Sequence, residues 1–547
     1  MNLNFMKKNN WIAFLLCAAF AMFLLNACGD SVDASEQDVA EVDESSSGED
    51  VDSSSSVKSS SSKNKVSSSS TKTSSSSKVN SSSSSAKSSS SMKSDGSSSS
   101  SKESSSSNAK SSSSSTKSSS SETDVSSSST KASSSSNVNS SSSSANSSSS
   151  SKEMSSSSSE DETFKPDDAE YPYAGIPRIV IETEKRQEIK DRETEIPAKL
   201  QIWGEDKAES EILDLTIRGR GNTSWNMPKK SYKIEFAKKQ SILGMPKDKD
   251  WALIANYADK TLMRNYLAYR LSAALDVFYA PRCEFAELYL NDDYLGVYLI
   301  TETVKIGENR VNIPKNDFSY IVEVDGKYKA SEQVVFSDVL TSNNKGKAFR
   351  VHNPKNASEA VLDSVQTHIQ NFEKYLKTIK SGGDNNVDEW IDIDECIRHY
   401  WVQEFAKNPD AEFYTSVYFS WIKGDKIKMG PVWDFDLAFG NHSNDNINVV
   451  ENWHIRKYWY HFLFRDEVYK EKSDEFWALN HDFFVGVLDS IDVCGKKLNK
   501  AAQNNFKRWP ILENTDLELG ESYDEATDDL KQWIDKRMQW IDSQIGK

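Results

Sequence analysis

Cysteine and histidine are too sparse in this chain to carry its chemistry. The 547 residues include 5 Cys and 7 His, with no CxxC pair and no Cys/His cluster at metal-ligand spacing. Neither a zinc site nor a disulfide framework is indicated. A Walker A phosphate loop, an HExxH pair, a GxSxG elbow and an EF-hand loop are also missing, which disfavours P-loop enzymes, zinc proteases and the common serine esterases. Positive charge is in deficit: 66 Lys and Arg face 83 Asp and Glu, a formal net charge of −17. A polyanion would be repelled, and no basic stripe with interleaved aromatics reverses that, so a nucleic-acid partner is excluded. Hydrophobic residues make up only 36% of the chain, but one serine-rich block causes the dilution. The remainder is rich in Trp, Tyr and Phe and long enough for one large domain or two packed lobes.

The N-terminus carries an export pattern. Lys7 and Lys8 precede an apolar run over 11–25, which is short for a membrane span and stops at Leu25-Asn26-Ala27-Cys28. Leu, a small residue and then Cys resemble a bacterial lipobox, in which Cys28 becomes the lipidated first residue. The expectation is an exported protein held to a membrane by lipid, on the periplasmic or cell-surface face, with no second apolar segment able to span. Cys17 belongs to the signal; Cys283, Cys396 and Cys494 remain, and one pair of them could bridge in an oxidising compartment. From 45 to 159 the chain is blocks of Ser broken by Lys, Asn, Val, Ala and Glu. Such a segment has no apolar face with which to offset its ordering entropy. It reads as a disordered tether that spaces the rest from the membrane by roughly 60 Å. The expected division is a signal over 1–28, a linker over 29–163 and a folded domain over 164–547.

Within that domain the first half reads as strands. Residues 178–182 form a short apolar run, while Leu213, Leu215 and Ile217, then Lys230, Tyr232, Ile234 and Phe236, alternate with their neighbours. Segments 285–290 and 294–301 form a hairpin around Asn291-Asp292-Asp293, and 320–324 is a further strand. Asp259 is a candidate cap for a helix whose apolar residues recur from Leu262 to Leu275. Helical spacing then dominates over 361–379, 391–406 and 530–545. Strands first and helices later predict an α+β class.

Three segments could carry chemistry. In Arg218-Gly219-Arg220-Gly221-Asn222, followed by Lys229 and Lys230, a glycine turn lies between two strands, the second beginning with Lys. Backbone N–H groups in such a turn and a Lys at a strand start can hold an anion, although a plain hairpin with a basic tip would look alike. In Gly430-Pro431-Val432-Trp433-Asp434-Phe435-Asp436, two carboxylates would share a face if the segment is extended. Amid bulky apolar neighbours a divalent cation is the economical partner, and a pair of capping aspartates is the alternative. Asn408-Pro409-Asp410 lies between the helix ending near Ala406 and a strand at 417–421; alone, Asp410 reads as a turn residue.

Taken together with DWALIANYADKTLMRN (250–265) and ELYLNDDYLGVYLITE (287–302), in this order, these segments resemble the CotH kinase family. The resemblance implies an atypical, kinase-like, two-lobed fold that transfers the γ-phosphoryl of ATP to protein Ser or Thr with Mg²⁺ or Mn²⁺. It implies Asp410 as the catalytic aspartate, Asp434 as metal ligand, and Asp436 as second ligand or support. It places Arg218, Asn222 and either Lys229 or Lys230 (Lys230 by shared face with Tyr232 and Ile234) on the nucleotide phosphates. Glu302 would pair with that lysine or mark the adenine hinge. Ordinary protein kinases carry GxGxxG and HRD motifs that this chain lacks, and Thr415 or Ser416 stands where they place a metal-binding Asn. The implied partner is a protein with Ser/Thr acceptors, the chain's own linker included. Two rival readings are a non-catalytic surface-assembly module and a carbohydrate-associated protein. Asp434 and Asp436 are too close in sequence to flank a sugar ring, which weakens the latter.

Overall fold

The computed structural model describes residues 164–341, 346–383, 385–513 and 520–546. The export signal, Cys28 and the serine tether lie outside these residues. The first half is a closed barrel. It is built from β1 (Arg178–Thr183), β2 (Ile196–Trp203), β3 (Leu213–Arg220), β4 (Ser231–Ile242), β5 (Met245–Ile254), β6 (Cys283–Leu290) and β7 (Asp293–Glu302), with α1 (Arg264–Ala274) inserted after β5. The strand order is β1-β2-β3-β4-β5-β7-β6, and β1 closes the ring by pairing parallel to β6. Alternation explains the barrel: Ile196, Ala198, Leu200 and Ile202 of β2 point inward while their neighbours are more exposed. Ile179, Ile217, Ile234, Trp251, Tyr298 and Ile300 complete a filled interior, so the barrel has a packed core rather than a pore. Asn291 and Asp292, both with left-handed φ, make the two-residue turn of the expected β6–β7 hairpin.

The second half is a five-stranded antiparallel sheet with helices. The strands β8 (Ser319–Val324), β9 (Val334–Ser337), β10 (Lys347–Asn353), β11 (Val417–Ile422) and β12 (Lys428–Met429) run in the order β12-β11-β8-β10-β9. Around them stand α2 (Glu359–Leu376), α3 (Ile393–Ala406), α4 (Glu467–Arg508) and α5 (Tyr523–Gln544). One apolar core joins this sheet to α1 and the helices, with Val322, Phe372, Trp401, Phe405, Phe419 and Ile534 among its buried members. The α+β class, strand-rich first and helical later, is as the sequence reads.

Two local expectations are corrected. Asp259 is not the residue next to the helix: α1 starts at Arg264 with Met263 in the capping position. Asp259 instead reaches forward, accepting from the Arg264 backbone N–H at 2.9 Å and pairing with the Arg264 guanidinium. No disulfide joins Cys283, Cys396 or Cys494, which are buried as thiols. Among the described residues no helix is long and apolar enough to cross a membrane.

α4 is the longest element. Its 42 residues extend about 63 Å. Asp466 caps its start by accepting from Tyr469 N–H at 2.8 Å. At the other end the Asn505 amide oxygen accepts from the Val297 N–H of β7 at 3.1 Å and from Lys229 at 2.9 Å. The helix therefore packs on the second core near its start and docks on the barrel near its end.

Candidate active site

A cleft of about 710 Å³ opens between the end of β3, the start of β4, the end of β5 and the central strands β8, β10 and β11 of the second sheet. Asp410 reaches it through a built turn. α3 ends at Lys407 in a left-handed conformation, and Asn408 then accepts from the Asp410 N–H at 3.2 Å while Pro409 opens a short 3₁₀ turn. The Asn408 amide also donates to Gln403 Oε1 at 3.0 Å and to the Asp434 carbonyl at 3.1 Å. One side chain thus ties the Asp410 turn to the Asp434 segment.

The segment Gly430–Asn441 is a coil, not the extended strand that would put both carboxylates on one face. Asp434 has φ 64°, and this left-handed kink brings its carboxylate against that of Asp436. Val432, Phe435, Ala438 and Phe439 bury the coil. Phe435 N–H donates to Asn265 Oδ1 at 2.8 Å and Phe439 N–H to the Ala406 carbonyl at 2.7 Å. Gly440 closes it with φ 75°, where an added Cβ would lie 2.6 Å from the Trp533 ring. Gly440→Ala is expected to destabilise the fold by about 2–4 kcal/mol, since it adds backbone strain to a clash in the core. A urea unfolding midpoint indistinguishable from wild type would show that this packing is misassigned.

The electrostatics of the three aspartates are set by shared burial. Desolvation, then the charge of Asp434, pushes the Asp410 pKa up to about 6, against an opposing pull from Lys327. Burial raises Asp434 too, with Arg220 and Lys327 opposing. Asp436 is raised well above the usual carboxylate range, by burial and by Asp434, Asp410 and Asp259, and its carboxyl is hydrogen-bonded to that of Asp434. Among the described residues no three acidic, His or Cys side chains form a ready-made metal shell. The donors present still fit a hard divalent cation. Mg²⁺ is held through one or two carboxylates with phosphate and water completing its octahedron, and the raised pKa values mark carboxylates short of positive charge.

The remaining sequence candidates are placed differently. Arg218 lines the cleft but donates to the Arg192 carbonyl at 2.6 Å and lies 3.6 Å from Glu195. Asn222 sits at the rim, accepting from Arg192 at 3.1 Å. Lys230 stands outside the cleft lining, its ammonium donating to the Trp225 carbonyl at 2.7 Å. Lys229 borders the cleft, yet the residue is 1% exposed and its ammonium is bound to the Val297 carbonyl and Asn505, with burial driving its pKa well down. Glu302 pairs with no lysine. Its buried carboxylate takes Arg282 at 2.9 Å, Arg310 at 2.5 Å and the Tyr279 hydroxyl at 2.8 Å. Several cleft residues are not among the sequence candidates, including Arg220, Glu323, Asp325 and Lys327. Arg220 stands two residues after Arg218 on one strand face, which is a signal for it. Glu323 lies in β8 and Asp325 and Lys327 follow it, a stretch for which no motif speaks.

The family model described as CotH kinase protein matches residues 217–541, from within β3 to within α5. No curated protein matches the chain. The matched span contains Arg218, Asp410, Asp434 and Asp436, that is, both the glycine turn and the three aspartates named as site candidates. A kinase family implies ATP and a divalent metal, the ligands for which this cleft has anionic and cationic walls. With the model covering more than half of its length, the chain belongs to the CotH kinase family.

Proposed function

We propose that the protein is an extracytoplasmic protein kinase that transfers the γ-phosphoryl of ATP to Ser or Thr hydroxyls. The observation that carries this reading is the convergence of Asp410, Asp434 and Asp436 in one cleft, with all three pKa values raised. On this reading the barrel and the sheet-and-helix half are the two lobes of a kinase-like fold, and the cleft between them takes the nucleotide. Asp434, with Asp436 beside it, holds Mg²⁺ or Mn²⁺, and the ion when bound neutralises phosphate charge. Asp410 orients the acceptor hydroxyl and takes its proton. A new O–P bond forms to that hydroxyl, the bond from the γ-phosphorus to the bridging oxygen breaks, and ADP leaves with the electron pair. A carboxylate with a pKa near 6 is ionised at neutral pH and basic enough to receive the proton.

The test incubates the full chain with labelled ATP and either ion, followed by phosphoamino-acid analysis. Label on Ser or Thr that Asp410→Asn removes supports the reading. Tight nucleotide binding without transfer would instead make the protein a non-catalytic module. The serine tether is the first acceptor to examine. Attachment gives its hydroxyls an effective concentration in the mM range, and its interspersed Lys residues complement an acidic site. Intact mass, read before and after phosphatase, separates phosphate from other additions. Membrane attachment through Cys28 is part of the same proposal. Cys28→Ser is expected to move the protein wholly into the soluble fraction, and unchanged retention without lipid label in the wild type would sink the anchor.

A further inference from the structure

The lysines that the family resemblance puts on the phosphates are both committed elsewhere, so the cleft must find its cations in other places. Lys230 is turned to a backbone carbonyl, and Lys229 is enclosed by neutral partners. Most other cations lining the cleft are also engaged. Lys329 pairs with Glu193 at 2.5 Å, Arg350 with Glu332 at 2.7 Å, and Arg218 approaches Glu195, while Arg192 donates to the Gly221 carbonyl at 2.5 Å. Two remain that form no ion pair among the described residues. Arg220 ends β3 on the barrel wall, its guanidinium 5.4 Å from the Trp433 ring centroid, and Trp433 directly precedes Asp434. Lys327 follows β8 on the opposite wall, its ammonium 5.4 Å from the ring of Tyr414, four residues beyond Asp410. Each cation rests on an aromatic face within four residues of a site aspartate, a contact that fixes direction without cancelling charge.

The Lys327 turn is itself held in place. Asp325 accepts from the Lys327 N–H at 2.8 Å and from the Thr415 hydroxyl at 3.3 Å. Gly326 donates to the Tyr414 carbonyl at 2.9 Å, with no room there for a Cβ. The turn is therefore positioned from the loop between Asp410 and β11, and its cation acts on Asp434, as Arg220 does from across the cleft.

From this arrangement we infer that Arg220 and Lys327, one from each wall, clamp the transferring phosphoryl group and supply the phosphate contact that neither Lys229 nor Lys230 can make. Asp325 is then a positioning residue for Lys327. The inference rests on the kinase reading. It deepens it by naming which cations meet the polyphosphate and by dividing them between the two halves of the molecule.

The test compares the full chain with Arg220→Gln and Lys327→Gln, and with the charge-keeping Arg220→Lys and Lys327→Arg. Calorimetry measures binding of Mg·ATP, Mg·tripolyphosphate and adenosine, and phosphoryl transfer is assayed in parallel. Each Gln variant is expected to lose roughly tenfold to a hundredfold in Mg·ATP and tripolyphosphate affinity or in turnover. Adenosine affinity should be unchanged, and the charge-keeping variants should recover part of the loss. A merely structural role would depress all three ligands together and would overturn the inference. Wild type binding Mg·ATP, with both Gln variants unaffected, overturns the clamp and leaves the kinase reading intact. Wild type binding tripolyphosphate through both cations but not ATP keeps the clamp and removes the nucleotide. Wild type binding neither overturns both.

Discussion

Asp434→Asn is expected to abolish the rise in melting temperature that Mg·ATP gives the wild-type chain and to cut phosphoryl transfer by about 10³-fold or more. The effect is large because a cation bridging phosphates depends on very few protein oxygens, and an amide oxygen replaces a full charge with a dipole. Stabilisation by a bound ligand follows mass action, about 2.7 kcal/mol at a hundred times the dissociation constant, and it vanishes with the site. The metal-free variant should be at least as stable as wild type, since desolvation outweighs the opposing pull of Arg220 and Lys327 on the charged form of this residue. A metal-dependent shift of wild-type size in Asp434→Asn would take the residue out of the site.

Asp410→Asn should separate binding from chemistry. Turnover is expected to fall about 10²–10⁴-fold, the usual contribution of a positioned general base, while Mg·ATP still stabilises the protein. Wild-type turnover should rise with pH through about 6 and then level, because Asp410 must be ionised to act. Stability should run the other way. The folded-state pKa is raised above the unfolded value, so the fold favours the proton. This contribution is present at low pH and lost as pH rises through about 6. Asp410→Asn should therefore gain roughly 3 kcal/mol over metal-free wild type at pH 8 and little at pH 4. An equal difference at both pH values would show that Asp410 does not carry the raised pKa.

The acidic half of the site is legible in the chain because its residues act where the backbone puts them. Asn408-Pro409-Asp410 is a cap, a turn-former and a carboxylate in succession, and the Asp434/Asp436 pair is unusual amid buried aromatics. The cationic half is not legible. Lys229, Lys230, Arg218 and Arg220 lie within one hairpin, and only the paths of their side chains assign one to the cleft and one to the interior. Lys327 enters from a strand some hundred residues away, a contact fixed by tertiary packing. The fold divides in the same way. β2 alternates cleanly, but Pro197 at its second position reads as a strand breaker. α4 does show helical spacing at Trp477, Phe484, Val487, Ile491, Cys494 and Leu498, yet its charged and amide residues dilute that stripe until the partner surfaces are in place.

α4 sets the mechanics of the cleft. Near its start Trp401 of α3 donates to the Ser473 carbonyl at 2.9 Å, and the Trp401 and Trp477 rings stand 4.7 Å apart. Near its end Asn505 is fastened to β7, and Arg508 donates to the Tyr294 carbonyl at 3.1 Å. A continuous helix anchored to both cores acts as a splint across a hinge. Gross swinging of one half away from the other would have to bend about twelve turns of helix or tear out the Asn505 dock. On the kinase reading, nucleotide exchange is left to the light parts of the walls, the glycine turn after β3 and the Gly326-Lys327 turn after β8. The Lys329–Glu193 pair near the cleft is exposed, with side chains 41% and 65% accessible, so breaking it costs little.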